Sequence, residues 1–277
     1  WAIKGVALAN KNRGNHIIVS NIEHPAVINS CEWLKQHGFK ITYLNVDAHG
    51  LISLDDLENA IKDNTILVSI MFANNEIGTI QPIKEISELC HNYGILFHTD
   101  AVQATGTIQY NVKDLGVDLL SFSAHKFYGP KGIGGLYIKE GTLIDNLIHG
   151  GEQERGKRGG TTPSYLVVGM ASALEDSIIN LDSNAIKMRE LKMKLYNNLK
   201  YYNVTFNGFI DECCLPGTLS VTFNDTLPGI VLNNLDILGV EASAGSACAA
   251  ASDVPSRTLL SIGLTEEEAK QTIRFSI

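Results

Sequence analysis

The sequence predicts an α/β protein, a mostly parallel sheet followed by a smaller α+β region. Three observations carry that prediction. Short apolar runs rich in β-branched residues recur through the first half of the chain, amphipathic helical patterns separate them, and each run ends in a polar cluster.

In order along the chain, residues 16–20 (HIIVS) and 65–73 (TILVSIMFA) read as buried strands, followed by 95–99 (ILFHT), 117–123 (VDLLSFS) and a run near 135–139. Ser53 with Asp56 is a helix-start signal, and Leu54, Leu57 and Ile61 fall on one face beyond it. Pro82 opens a second helix, which carries Ile83, Ile86, Leu89, Cys90 and Tyr93 on one face and stops at Gly94. After Thr162-Pro163 the texture changes. A long helical stretch over 164–200, interrupted near 180–184, leads to strand signals at 204–206 and 218–223. A helix with Leu232 and Leu235 follows, then a final helix capped by Thr265 with Glu268. The expected division is a large domain over 1–183 with a linking helix, and a small domain over 184–277.

Composition removes several function classes. Of 277 residues, 44% are hydrophobic and 19% charged, too apolar for a disordered acidic chain. The net charge of −8 argues against a nucleic-acid partner, and no stretch approaches the ~18 apolar residues of a membrane span. Five cysteines (31, 90, 213, 214 and 248) are an odd set without a C-x-x-C pair, which argues against zinc and for a reducing, cytoplasmic compartment. The chain opens on Trp1 and closes on a strand-like I-R-F-S-I, so the expectation is a piece of a longer enzyme at both ends.

In an open parallel sheet, ligands bind beyond the carboxyl ends of the strands. Those ends carry His24, then Asn74-Asn75, then Asp100 with Gln103, then Ser123, His125 and Lys126 ahead of a glycine-rich run. Singly, each has a plain reading: His24 as a turn residue, Asn75 as a cap, Lys126 as a solvated cation. Together they supply an imidazole, an amide, a carboxylate and a lysine beside a hydroxyl, the donor set that pyridoxal 5'-phosphate requires. The glycine-rich run after Lys126 lacks the phosphate-loop and dinucleotide spacings.

The segments H-x-D-A-x-Q (98–103) and S-x-H-K-x-Y-G-P-K-G-I-G (123–134) resemble class V, fold-type I pyridoxal phosphate enzymes. N-N-E-I-G (74–78), H-G-G-x-x-E-R-G-x-R-x-G-T (149–161) and S-x-G-S-A-C (243–248) narrow the resemblance to the NifS/IscS-like cysteine desulfurases, collinear from Trp1 to Ile277. The resemblance implies a seven-stranded type of sheet in the large domain. It also implies that Lys126 forms the Schiff base, Asp100 pairs with the pyridine nitrogen, and His24 stacks on the ring. Asn75 and Gln103 would bond near the ring oxygen, Asn75 also facing substrate. Ser123 and His125 would hold the phosphate, joined by Thr161 across a homodimer interface. Arg274 would clamp the substrate carboxylate.

Cys248 would be the nucleophile that removes sulfur from L-cysteine as a persulfide, leaving L-alanine, with His24 as the favoured base. A sulfur-acceptor protein, an iron–sulfur scaffold or a thiolation protein, would then receive the sulfur. Alternatives stay open. Thr161 reads equally as a helix cap, and Cys248 among small residues as a buried thiol. Two positions depart from the family pattern: Ala249 follows the cysteine where a hydroxyl residue is usual, and Ala244 replaces a serine. Selenocysteine lyase, another class V aminotransferase and an inactive partner-binding fragment are the competing functions.

Overall fold

A computed structural model describes residues 1–245 and 254–277. The chain divides into two compact units that are not contiguous in sequence. One contains 1–44, 53–72 and 82–180; the other contains 45–52, 73–81 and 181–277.

The first unit is built on a six-stranded sheet. Its strands are β1 (His16–Ser20), β2 (Lys40–Leu44), β3 (Thr65–Ser69), β4 (Leu96–Asp100), β5 (Leu119–Ser123) and β6 (Gly134–Ile138), in the order β2-β1-β3-β4-β5-β6. All neighbours pair in parallel except β5 and β6, which are antiparallel. The described residues thus give six strands rather than a seven-stranded type, with β2 and β6 as the two edges and no further strand paired to either. Every residue of β1 and β3 is buried, as expected for central strands of a parallel sheet. The run expected over 65–73 pairs as a strand only to Ser69. Met71 and Phe72 instead use their amides to hold side-chain and backbone groups of neighbouring strand ends.

The core of this unit joins Val6, Val27, Cys31 and Leu34 of two helices (Ala2–Ala9 and Pro25–Lys35) to Ile17, Val19, Leu67 and Leu119 of the sheet. Local signals placed the helix starts well. Ser53 Oγ accepts the Asp56 amide at 3.1 Å, and Pro82 stands at the cap of the helix Ile83–Asn92. The following Gly94 takes φ +66, a left-handed turn that suits glycine. The helix Ser164–Ile179 follows Pro163, whose ring occupies the cap position, so Thr161 is not a helix cap.

The second unit has an antiparallel sheet of β7 (Val204–Asn207), β8 (Thr218–Phe223), β9 (Ser243–Ala244) and β10 (Thr272–Ser276), in the order β7-β8-β10-β9. The strand-like end of the sequence is therefore interior: Arg274 of β10 pairs with Ser220 on one side and Ser243 on the other. Ile77, Leu259, Ile262 and Ala269 form a small core. The segment 73–81 is fastened into this unit by a bridge between Thr79 and Cys214. Thr265 and Glu268 form a reciprocal capping box at the helix Glu266–Lys270, as the sequence signalled.

Candidate active site

Three parallel strands of the first unit, β1, β4 and β5, deliver side chains at their carboxyl ends. After β1, His24 caps the helix Pro25–Lys35, its Nδ1 accepting the Ala26 amide at 3.2 Å. Asp100 is the last residue of β4, and its carbonyl accepts the Phe72 amide at 2.9 Å from the chain beyond β3. β5 ends at Ser123, and a single 3-10 turn, Ala124–Phe127, lifts His125 and Lys126 into the open. Tyr128 ends that turn at φ 63, a left-handed conformation a tyrosine rarely adopts.

Burial pushes the Asp100 carboxyl above its ordinary range, while the Val102 amide, His24 and Lys126 all act to keep it charged. Its Oδ1 accepts the Val102 amide at 3.0 Å. Three strand ends therefore converge on one carboxyl. Ser123 Oγ and His125 Nδ1 lie 2.8 Å apart on the exposed side of the turn. Gln103 is half-buried just beyond Asp100. Thr161 is exposed, and among the described residues no contact joins it to Ser123 or His125.

In the second unit, Arg274 Nη1 donates to the Asn75 carbonyl at 2.9 Å, so two more of the expected residues meet. Cys248 lies outside the described residues. Among those described there is no cluster of three or more metal-ligating side chains, and no helix is long and apolar enough to cross a membrane.

Two acids had no role assigned from sequence. Glu23 is 5% exposed; its Oε1 accepts Ser20 Oγ at 2.6 Å and the Met71 amide at 2.7 Å, and Oε2 is buried without a partner. Burial, with the Asp100 charge adding to it, pushes this carboxyl up to about 8, against the pull of its two donors. Its position immediately before His24 was the only sequence signal. Glu76, inside N-N-E-I-G, is likewise buried. Behind the site, His98 bridges Ser69 and Ser121 at 2.8 Å each and is pushed down to about 3 by burial, a neutral ring tying β3, β4 and β5 together.

The first-unit residues fit pyridoxal phosphate on their own chemistry. Asp100 is a carboxyl withdrawn from water whose charge calls for a cationic partner, which a protonated ring nitrogen supplies. Lys126 offers an exposed primary amine whose charge acts on that carboxyl, and Ser123 and His125 offer exposed donors for a phosphate.

The pattern of the family described as Aminotransferase class-V matches residues 2–277. The chain is 51% identical to a cysteine desulfurase IscS of Clostridium botulinum (strain Hall / ATCC 3502 / NCTC 13319 / Type A), covering 100% of this chain and 70% of that protein. It is 47% identical to cysteine desulfurase IscS of Methanosarcina thermophila, over 100% of this chain and 69% of the relative. Among solved structures, a NifS-like protein superposes with a TM-score of 0.92 at 38% identity, covering 100% of this chain and 73% of that one. A structure titled SspA in complex with cysteine gives 0.86 at 39% identity, covering 100% and 77%.

Proposed function

The chain belongs to the class V aminotransferases and, within them, to the IscS-like cysteine desulfurases, and from that premise we propose how its own residues carry out the reaction. The substrate is L-cysteine; the products are L-alanine and a persulfide on Cys248. The stoichiometry balances: the enzyme thiol gains one sulfur atom, and the substrate C–S bond is replaced by a C–H bond.

Pyridoxal phosphate, when bound, supplies an electron sink next to the α-carbon of the amino acid. Lys126 would hold the cofactor through its amine and is the group placed to move the α-proton. Asp100 would pair with the ring nitrogen, whose positive charge would join His24, Lys126 and the Val102 amide in favouring the carboxylate against burial. Ser123 and His125 would donate to the phosphate, and Asn75 and Gln103 would bond near the ring oxygen. Thr161 would reach a phosphate across a homodimer. Arg274, whose Nη1 donates to the Asn75 carbonyl, would clamp the substrate carboxylate. His24 takes the thiol proton of Cys248, and the thiolate receives the sulfur.

The observation that carries this reading is the convergence of His24, Lys126 and the buried Asp100 carboxyl at the carboxyl ends of three strands. Partners follow from the product: a persulfide must be passed on, and an iron–sulfur scaffold or a thiolation protein is the proposed acceptor. Four described cysteines, 31, 90, 213 and 214, are free thiols, which supports a reducing compartment such as the cytoplasm. Alanine release from L-cysteine by the loaded chain tests the proposal. It requires release by wild type, loss in Lys126→Ala, and loss of the cofactor's visible absorbance in the same variant. Absorbance without alanine release would contradict the desulfurase assignment.

A further inference from the structure

Glu76 is the titratable member of N-N-E-I-G, and the proposed chemistry gives it no task, yet it is 8% exposed and carries side-chain hydrogen bonds. Ser256 Oγ donates to its Oε2 at 2.5 Å, and Thr258 donates to the same carboxyl. Ser256 also caps the helix Arg257–Ser261 by accepting the Leu259 amide at 3.2 Å. Two residues earlier, Asn74 Oδ1 accepts the amides of Glu76 and Ile77 at 2.8 and 3.1 Å, which fixes the turn. Between them, the Asn75 carbonyl accepts Arg274 Nη1 at 2.9 Å. The Arg274 charge lies near enough to favour the ionised form of Glu76. Gly245 packs against the same acid: a β-carbon there would stand 3.4 Å from Oε2.

We infer that Glu76 is a positioning residue for the arginine clamp: its carboxylate ties the 74–76 turn to the Ser256 helix cap and so fixes the carbonyl that aims Arg274. The inference rests on the proposed role of Arg274 toward the substrate carboxylate. A buried acid is costly unless paired, and here the pairing uses three segments that are far apart in sequence. The turn can neither slide nor twist without breaking the Ser256 bond. Losing the acid would therefore loosen Arg274 without touching the reacting atoms.

The test compares wild type, Glu76→Ala, Glu76→Gln and Ser256→Ala as cofactor-loaded enzymes. It reads kcat and KM for L-cysteine, and L-alanine affinity by calorimetry. Glu76→Ala is expected to raise KM and the L-alanine Kd together by about tenfold, with kcat falling less than about threefold. Glu76→Gln keeps an oxygen for Ser256 and is expected to restore both constants to within about threefold of wild type. Unchanged KM and Kd in Glu76→Ala, or a fall in kcat alone, would overturn the inference. If Glu76→Ala does not fold, Ser256→Ala decides: KM and Kd raised by about threefold or more support the brace, and wild-type values refute it. A wild-type enzyme that releases no alanine contradicts the desulfurase reading instead, and L-alanine binding still reports on Glu76.

Discussion

Glu23 accepts the Met71 amide at 2.7 Å, and the next amide along, that of Phe72, holds the Asp100 carbonyl at 2.9 Å. One short stretch of backbone beyond β3 therefore fixes both a buried acid and the carboxylate proposed to face the cofactor. The Asp100 charge adds to burial in raising the Glu23 carboxyl, since two acids in one dry setting do not both ionise readily.

That arrangement predicts a pH-dependent stability. Glu23 titrates at about 8 in the fold against 4.5 in the open chain, so its stabilising contribution is complete below about 4.5 and is lost as pH rises through about 8. Glu23→Gln carries no such loss. The expected difference in Tm between variant and wild type is near zero at acid pH and grows to several degrees in favour of the variant above pH 8. Calorimetric scans of the two proteins across that range check it; parallel curves would refute the assignment.

Asp100→Asn separates stability from function. Burial opposes the charge on Asp100, so the cofactor-free variant is expected to melt no lower than wild type. With cofactor, loss of the carboxylate at the ring nitrogen is expected to cost at least about a hundredfold in alanine release. Melting curves and initial rates on the same preparations decide the matter.

His98 has a structural task. Replacing it by Ala leaves Ser69 and Ser121 without their shared partner and opens space between three strands, an expected loss of about 2–4 kcal/mol. Urea titration of wild type and variant measures this, and a loss below about 1 kcal/mol would show that the bridge contributes little.

Thr265→Ala removes one half of a capping box on an exposed helix end. The expected cost is about 1 kcal/mol with kcat and KM for L-cysteine unchanged, because among the described residues no proposed site residue hydrogen-bonds to that cap. Chemical denaturation and steady-state kinetics test both halves of the statement.

Local chemistry was readable from the sequence. Ser53, Pro82, Gly94 and Thr265 mark helix ends because each acts on backbone within a few positions of itself. The strand-end clusters carrying His24, Asp100 and Lys126 were legible because parallel sheets present their ligands there. The grouping of 45–52 and 73–81 with the C-terminal unit was not, since it depends on pairings such as Thr79 with Cys214 that no local pattern encodes. The Arg274 bond to the Asn75 carbonyl spans 199 positions and uses a backbone acceptor, which leaves no trace in residue identity. Glu23 was missed because an acid next to a histidine at a strand end reads as a solvated residue. Only the fold shows it 5% exposed.

The central claim is that sulfur passes from L-cysteine to Cys248 on a site assembled around Lys126 and Asp100. Intact-protein and peptide mass spectrometry after incubating the cofactor-loaded chain with L-cysteine tests it most directly. The expected result is a single added sulfur on the peptide containing Cys248, absent in Lys126→Ala and reversed by a thiol reductant. Full alanine release with no added sulfur on Cys248, or equal release by Cys248→Ala, would contradict it.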